Sequence, residues 1–335
     1  MKNKQVILVN RPSGMVKDSD FEIILSEIPT IMEGQVLIKN EYISLDPAMR
    51  GWMNEGTTYI PGVALGAVMR AFAAGKVIAS KNALYTEGEY VVGLTGAQTH
   101  AVSDGKGLTK VDVRQGQLSW HLGILGMPGM TAYFGLLKRG KPEYGETVFV
   151  SGAAGVIGTA VGQLAKLKGC RVIGCAGGQQ KCDYLESIGF DAVIDYKKDD
   201  VAQKLKELAP EKINIYYDNV GGEILDAALT HLALGARVVI CGAISQYNTP
   251  SVSGPKNYLK IVSARGTMTG IIVFDFIDQY PKAVHEISKN LEKGKITYKE
   301  HVVEGLDHFA VALKMLFTGD NFGKLVLKMG ATDFT

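Results

Sequence analysis

The segment whose residues most clearly indicate a chemical function is a run of small residues between an apolar strand pattern and a helix pattern. Val148–Val150 reads as a buried strand and Val156–Val161 as the start of a helix. Such a unit presents backbone N–H groups and the positive end of a helix dipole to a phosphate. The motif is A-x-G-x-x-G, with Ala153 in place of the first glycine of the usual dinucleotide fingerprint. An ordinary strand–helix turn is the alternative. The predicted pyrophosphate-binding residues are Gly152, Ala153, Ala154, Gly155, Val156, Ile157 and Gly158.

The next strand pattern indicates which dinucleotide is preferred. Cys170–Ala176 reads as the second strand, and an NAD enzyme places Asp or Glu at its end to bind the ribose hydroxyls. Here Gly177 and Gly178 follow instead, and Lys181 stands at the start of the next helix pattern. An ammonium group suits a 2′-phosphate as a point-charge partner. The sequence therefore favours NADP(H) over NAD, with a solvated surface lysine as the alternative interpretation of Lys181.

Length and composition describe an ordinary globular protein of about two domains. The 335 residues are 46% hydrophobic and 21% charged, with a net charge of +2. The small net charge and the lack of a basic run argue against nucleic acid as a partner. The apolar run before Arg11 is too short for a signal peptide, and no run of about 18 apolar residues would cross a membrane. We therefore expect a cytoplasmic protein with no membrane partner.

Cysteines and histidines carry no metal-binding pattern. The four cysteines, Cys170, Cys175, Cys182 and Cys241, lack the paired short spacings of a structural zinc site. We expect them to be buried free thiols. The six histidines also lack ligand spacing, so no metal site is predicted.

The order of strand and helix patterns predicts two domains. Strands and helices alternate from residue 124 to 295, which predicts an α/β fold with a doubly wound parallel sheet. Short valine- and isoleucine-rich pieces in residues 1–123, and again from residue 296 to 335, predict an antiparallel, barrel-like β domain. A doubly wound sheet binds its ligand at the carboxyl ends of its strands. Those ends are predicted at Ser151, Ala176, Tyr196, Asn219 and Gly242.

Five segments in a fixed order narrow the prediction. They are Ser44–Gly51, Gly126–Tyr133, Tyr217–Gly222, Cys241–Asn248 and Gly319–Lys324. With the loop Gly152–Gly158, called the phosphate loop below, they resemble the medium-chain dehydrogenase/reductase superfamily, in its zinc-independent, NADP-dependent alkenal double-bond reductase branch. That branch includes prostaglandin/leukotriene reductases and curcumin reductase. The resemblance implies a Rossmann NADP-binding domain at 124–295 and a GroES-like antiparallel β-barrel substrate domain at 1–123 and 296–335.

The resemblance also implies a reaction and a set of cofactor contacts. Hydride passes from NADPH to the β-carbon of an α,β-unsaturated ketone or aldehyde, and the enolate is protonated at the α-carbon. The contacts implied are Lys181 and Tyr196 at the 2′-phosphate, Gly155–Gly158 at the pyrophosphate, Asn219 and Gly242 at the ribose region, and Thr131 and Asn321 on the opposite side. Three have structural alternatives: Tyr196 as a packing tyrosine, Asn219 as a helix cap and Asn321 as a turn residue.

Tyr247 matches the active-site tyrosine of that branch. A phenol can donate a hydrogen bond to the substrate carbonyl and stabilise the developing enolate. Tyr59 is a second catalytic candidate, and Trp52, Met127 and Tyr133 are expected in an apolar substrate pocket. Packing at a domain interface is the alternative for these residues, and water is the alternative source of the proton.

Two departures from the family pattern affect the prediction. The zinc-dependent relatives carry Gly-His-Glu, whereas the nearest counterpart, Leu65–Arg70, has neither the histidine nor the glutamate. Alcohol activation at zinc is therefore not expected. Ala48 and Ala67 stand where the branch commonly has an aromatic and an acidic residue, so the substrate range is not carried over from any relative.

Two other functions stay open. A quinone reductase of the same superfamily would bind the same cofactor and would also lack zinc, although Cys241–Asn248 fits it less well. A nucleotide-dependent sensor or RNA-binding module is the remote alternative, disfavoured by the near-neutral charge.

A long apolar segment predicts self-association. Ile261–Phe274 reads as a strand at the edge of the parallel sheet. An unpaired apolar edge invites aggregation, and pairing with its copy across a twofold axis would protect it. We therefore expect a homodimer that acts on a small apolar enone or enal.

Overall fold

The computed structural model describes residues 2–56 and 60–334. Its strands are β1 Lys2–Leu8, β2 Phe21–Glu27, β3 Val36–Ser44, β4 Ala73–Ser80, β5 Tyr90–Gly93, β6 His100–Ser103, β7 Thr109–Lys110, β8 Thr147–Ser151, β9 Arg171–Ala176, β10 Ala192–Asp195, β11 Ile213–Asp218, β12 Leu232–Ile240, β13 Thr267–Gly270, β14 Glu300–Glu304 and β15 Lys324–Lys328. Its α-helices are α1 Ala48–Trp52, α2 Met127–Phe134, α3 Val156–Leu167, α4 Gln179–Ser187, α5 Val201–Leu208, α6 Gly222–Leu229, α7 Lys260–Ala264, α8 Tyr280–Glu292 and α9 Phe309–Thr318. A π-helix, Gly135–Gly140, continues α2.

The chain forms two compact units. The middle unit is Ile124–Lys299, and the terminal unit combines Met1–Gly123 with Glu300–Thr335. The second boundary therefore falls four residues after the one expected at 295/296.

The middle unit is a doubly wound sheet. Its six strands lie in the order β10-β9-β8-β11-β12-β13, and every neighbouring pair is parallel. The chain winds outward from β8 through β9 to β10 and then from β11 through β12 to β13, so the strand order reverses between β8 and β11. This arrangement confirms the predicted α/β class, and the point of reversal is where such sheets bind ligands.

Apolar residues on both faces explain why these strands form the centre of the unit. All five residues of Thr147–Ser151 are buried, and the ring of Phe149 stacks on Tyr216 of the neighbouring strand at 5.1 Å between centroids. Helices α5 and α6 add Leu205, Leu225 and Leu229 to the same core. Burial on both faces is the condition that a parallel sheet requires.

The terminal unit is largely antiparallel. Seven strands form one sheet, in the order β14-β15-β3-β4-β5-β7 with β6 pairing to β3, and β1 and β2 form a separate antiparallel pair. β14 and β15 are the one parallel pair that these sheet pairings include. The predicted antiparallel β domain is confirmed, and its core contains Leu8, Ile43, Met49 and Leu325.

The prediction of one long edge strand over Ile261–Phe274 is wrong. Lys260–Ala264 is a helix that ends at Arg265 with φ +48, and only Thr267–Gly270 pairs with β12. Val273–Gln279 is a 3₁₀-helix. A run of apolar residues does not distinguish strand from helix by periodicity, and several of these side chains are exposed on the helix and the edge strand.

No helix within 2–56 and 60–334 combines the length and the apolar character needed to cross a membrane. The four cysteines are free thiols, as predicted, and Cys241 is the one that is not fully buried.

Candidate functional site

Strand register brings the polar strand ends to one edge of the middle unit's sheet. Ser151 pairs with Cys175, and Asp195 pairs with Ala176. Asp218 ends β11, the neighbour of β8 across the point of strand reversal. Loops that follow these strands are therefore close together, where a doubly wound sheet holds its ligand.

The phosphate loop has the close backbone packing that its glycines require. Gly152 has φ +59, and Gly155 N donates to Gly152 O at 3.1 Å immediately before α3 begins. A Cβ at Gly158 would lie 2.5 Å from both Ala153 Cα and Gly152 O. The first turn of α3 thus approaches the loop more closely than any side chain allows. The N-terminal amides of α3 are held at the sheet edge, a favourable environment for a pyrophosphate.

Ala153 is accommodated in place of glycine because its neighbours are small. Its side chain is buried, and a Cβ at Gly174 of β9 would lie 3.1 Å from the Ala153 Cβ. A Cβ at Gly162 of α3 would lie 2.0 Å from Cζ of Phe190, whose ring occupies the space between helix and strand. The alanine methyl therefore fits a pocket that glycines elsewhere keep open.

The turn between β9 and α4 is anchored by a carboxylate that the sequence analysis missed. Asp195 Oδ1 at the end of β10 accepts the N–H of Gly178 at 2.8 Å and that of Lys197 at 3.1 Å. Burial alone would raise the pKa of Asp195, but these backbone donors and the nearby Lys198 and Lys197 charges hold it below its ordinary value. The carboxylate fixes the glycine turn at which the 2′-phosphate is predicted.

The two residues predicted at the 2′-phosphate flank this turn. Lys181 is the third residue of α4 and is half-buried, and Tyr196 directly follows β10. A Cβ at Gly177 would lie 2.7 Å from the Tyr196 hydroxyl oxygen, so that hydroxyl rests against the turn. Desolvation raises the pKa of Tyr196 above its ordinary value.

A buried carboxylate, Asp218, joins the end of β8 to the loop after β11. Its Oδ1 accepts four hydrogen bonds, from the Tyr216 hydroxyl at 2.6 Å, the Ser151 hydroxyl at 2.9 Å, Gly221 N at 2.9 Å and Val220 N at 3.0 Å. Burial and the Asp218 charge raise the pKa of Tyr216 well above its ordinary value, so Tyr216 stays a donor. One oxygen thus ties the end of β8, directly before the phosphate loop, to the loop after β11.

Asn219 presents a buried acceptor at this junction. Its Nδ2 donates to Ser151 O at 2.7 Å and its N–H to Ser151 Oγ at 2.9 Å. Its Oδ1 is buried and accepts no hydrogen bond from any residue the structure describes. A buried acceptor without a donor is costly, and a ribose hydroxyl is a donor of the right kind. The helix-cap alternative is not supported, because α6 is capped at Gly221 without a side-chain bond.

The hydroxyl of Tyr247 lies at the same edge. The oxygen accepts the N–H of Ala243 at 3.2 Å, and a Cβ at Gly242 would lie 2.8 Å from it. Gly242 and Ala243 lie two and three residues after the end of β12 at Ile240, so the phenol and the phosphate loop belong to one edge of one unit. Gly242 itself has no side chain that would occupy space needed by a ligand at the strand end.

Helix α2 carries three further predicted residues. Thr131 donates its hydroxyl to Met127 O at 2.8 Å, one turn back in the same helix. Tyr217 of β11 donates to Thr131 O at 2.8 Å and thereby fixes the helix to the sheet. Tyr133 is buried and donates to Glu286 of α8 at 2.6 Å, and burial followed by this hydrogen bond raises the pKa of Tyr133.

The remaining predicted residues belong to the terminal unit or lie outside the description. Trp52 is buried in the core of that unit with the Arg70 guanidinium 5.8 Å from its ring centroid. Asn321 Nδ2 donates to Gly323 O at 3.2 Å, as in a turn. Tyr59 lies outside the described residues.

Sequence reasoning missed Asp195 and Asp218. Both are the last residues of strands, and an acidic residue closing an apolar strand in Ala192–Asp195 and Ile213–Asp218 was the available signal. Among residues 2–56 and 60–334, no three His, Cys, Asp or Glu side chains are grouped as metal ligands would be.

The doubly wound sheet with its phosphate loop has the architecture of a dinucleotide-binding unit. Residues 4–111 match the family described as the N-terminal domain of oxidoreductase, and residues 156–289 match the family described as zinc-binding dehydrogenase.

Three relatives cover nearly the whole chain. The NADPH-dependent curcumin reductase of Escherichia coli strain K12 is 38% identical, over 99% of this chain and 98% of that protein. The NADP(+)-dependent 2-alkenal reductase of Nicotiana tabacum is 41% identical, over 98% and 97%. The crystal structure of CurA from Vibrio vulnificus in complex with NADPH superposes with a TM-score of 0.93 at 40% identity, over 98% and 99%. The chain belongs to the medium-chain dehydrogenase/reductase superfamily, in its zinc-independent, NADP-dependent alkenal reductase branch.

Proposed function

We propose that the protein reduces the carbon–carbon double bond of α,β-unsaturated ketones and aldehydes with NADPH. The observation that carries the proposal is the Tyr247 hydroxyl, which lies at the same edge of the sheet as the phosphate loop Gly152–Gly158. An acidic hydrogen-bond donor beside a dinucleotide site is what enone reduction requires. The NADPH-dependent relatives that match this chain over nearly its full length support the same reaction.

The residues present fit NADPH in three respects. The Gly152–Gly158 loop leaves no room for a side chain at Gly158, which keeps backbone amides open toward a pyrophosphate. Asn219 Oδ1 is a buried acceptor that a ribose hydroxyl would satisfy. Lys181 and Tyr196 flank the glycine turn after β9, a strand that does not end in Asp or Glu, and the nearby Asp195 carboxylate is buried and bonded to backbone N–H groups, which suits a 2′-phosphate. Thr131 and Asn321 are proposed contacts on the other side of the cofactor.

Bound NADPH supplies the hydride that adds to the β-carbon of the substrate. The chain's own contribution is at the carbonyl oxygen, where negative charge develops as the double bond is reduced. Tyr247 donates a hydrogen bond to that oxygen and stabilises the enolate. Tyr59 is proposed as a second polar group at the substrate, and Trp52, Met127 and Tyr133 as apolar lining.

The proposal is tested by following NADPH oxidation with a medium-chain 2-alkenal, an enone, a quinone and a saturated alcohol, each repeated with NADH. Turnover of the alkenal or enone with NADPH, giving the saturated carbonyl, is expected. Replacing Tyr247 by Phe is expected to lower kcat about 100-fold, the typical effect of removing one such donor. Quinone turnover alone would favour the quinone reductase alternative, and NADPH binding without turnover of any compound would favour a sensor.

A homodimer through the edge of the parallel sheet is the proposed assembly. β13 is the last strand in the order, and Leu259, Val262, Met268 and Ile272 around it are exposed apolar side chains. An exposed apolar edge is stabilised when it pairs with a second copy. Light scattering at micromolar concentration should give twice the 36.1 kDa chain mass. A monomer under those conditions would contradict this assembly.

A further inference from the structure

The Tyr247 hydroxyl rests directly on a glycine. A Cβ at Gly242 would lie 2.8 Å from the Tyr247 hydroxyl oxygen and 3.9 Å from Cζ, and its nearest backbone neighbour, Asn219 O, would be 3.6 Å away. Ordinary Cβ contacts begin at 3.4 Å, so the hydroxyl is the one atom of these three that is too close. Gly242 does not have a left-handed φ, so the position does not need glycine for its backbone conformation.

The backbone that carries Tyr247 is fixed to the neighbouring loop. Ile244 N donates to Asn219 O at 3.3 Å, and Ser245 donates to Val220 O through its N–H at 3.2 Å and its hydroxyl at 2.6 Å. Tyr247 follows this 3₁₀ turn directly. An added methyl at residue 242 would therefore displace the end of the tyrosine side chain more readily than it would displace the turn.

The contact also orients the phenol. Ala243 N–H donates to the hydroxyl oxygen at 3.2 Å, so the oxygen acts as an acceptor toward its own backbone. Hydrogen bonds in a chain polarise one another, so a hydroxyl that accepts this N–H is a stronger donor to a carbonyl. The bare glycine next to Ala243 allows the oxygen to reach that N–H.

We infer that Gly242 is a positioning residue for Tyr247, acting through the absence of a side chain. This inference rests on the proposed function, because it concerns the hydroxyl that binds the substrate carbonyl. Gly242 is also predicted at the ribose region of the cofactor. We expect a side chain at this position to lower turnover because it displaces the Tyr247 hydroxyl.

A double-mutant cycle tests the assignment. In the wild-type background, Gly242→Ala should lower kcat for an enone about 10-fold at saturating NADPH, because a displacement of about half an ångström misaligns a catalytic donor. In the Tyr247→Phe background the oxygen is gone, so the same methyl should cost less than about 2-fold. The NADPH Kd of each variant is measured by fluorescence, and kcat is compared at NADPH concentrations that saturate each variant, so that a loss of affinity is separated from a loss of turnover. Gly254→Ala is the matched control, since a Cβ there would meet no atom within 4 Å and the backbone is not left-handed.

A second readout does not depend on turnover. In protein labelled with 3-fluorotyrosine, the ¹⁹F resonance that disappears in Tyr247→Phe should shift in Gly242→Ala and stay in place in Gly254→Ala. An unshifted resonance overturns the inference. Equal losses of kcat in both backgrounds, or a loss of NADPH affinity that accounts for the change, overturn it as well. Wild-type protein that reduces no enone or enal refutes the proposed function separately, while the ¹⁹F experiment still decides whether Gly242 positions the phenol.

Discussion

Asp218→Asn removes the charge from the carboxylate that joins the end of β8 to the loop after β11. Asp218 is buried, and its Oδ1 accepts four hydrogen bonds of 2.6–3.0 Å. A hydrogen bond to a charged group contributes about 1.5–3 kcal/mol and one between neutral groups about 0.5–1.5 kcal/mol. Four weakened bonds amount to roughly 4 kcal/mol, and the lower desolvation cost of a neutral amide offsets part of this. We expect the free energy of unfolding to fall by about 2–4 kcal/mol.

The assay is equilibrium unfolding in urea without ligand, combined with the KM for NADPH. The urea midpoint should fall with an unchanged m-value. The KM for NADPH should rise, because Ser151 and the loop at Val220–Gly221 lose their common anchor. Glu223→Gln is the control, since it neutralises an exposed carboxylate in the adjoining helix α6.

A change in Asp218→Asn of less than about 0.5 kcal/mol, which is typical of surface substitutions, would refute the reasoning about stability. An unchanged KM for NADPH in a clearly destabilised variant would show that Asp218 stabilises the fold without affecting the proposed NADPH site.

Four further outcomes follow from the contacts described above. Gly158→Ala should weaken NADPH binding by about 10-fold or more in a fluorescence titration, because the new Cβ would lie 2.5 Å from backbone atoms of the phosphate loop; affinity within 2-fold of wild type would contradict this. Lys181→Ala should raise the KM for NADPH by about 10–100-fold and leave that for NADH unchanged, the loss expected of one charge-assisted contact; equal changes with both cofactors would point to a structural role. Tyr133→Phe should lower the free energy of unfolding by about 1.5–3 kcal/mol through loss of the 2.6 Å bond to Glu286, with exposed Tyr144→Phe as the control. Burial lowers the pKa of His121, so its neutral form stabilises the fold above about pH 6.5, and that contribution is lost as pH falls through the lowered pKa. His121→Gln should therefore flatten the decline in the free energy of unfolding between about pH 7 and pH 5. An unchanged slope of that free energy against pH would contradict this expectation.

The parts of the fold that local pattern determines were predictable. The strand at Val148–Val150, the loop and the start of α3 at Val156 were predictable because neighbouring residues determine them: apolar residues form the strand and small residues form the turn into the helix. The alternation of such units predicted the parallel sheet, and the structure confirms it. Ile261–Phe274 was predicted wrongly because its apolar residues divide between a short helix and a four-residue edge strand.

Contacts between distant residues were not predictable. Asp218 accepts a hydrogen bond from Ser151, 67 residues earlier, and no local pattern in either segment predicts that bond. The same is true of Tyr247, whose proximity to Gly242 depends on a tight turn held by Val220 of another loop. The roles of Tyr247 and Asn321 came from the resemblance, whereas that of Lys181 was also inferred from the missing carboxylate after the second strand; all three stay predictions until variants are assayed.

The most direct test of the account is the position of the transferred hydrogen. NADPH carrying deuterium at the reactive carbon of the nicotinamide ring, with each face labelled in turn, is incubated with the protein and a medium-chain 2-alkenal. The product is then analysed by NMR. We expect a saturated aldehyde with deuterium on the β-carbon from one of the two labels. Deuterium on the carbonyl carbon of an unsaturated alcohol, or no label in any product, would contradict it.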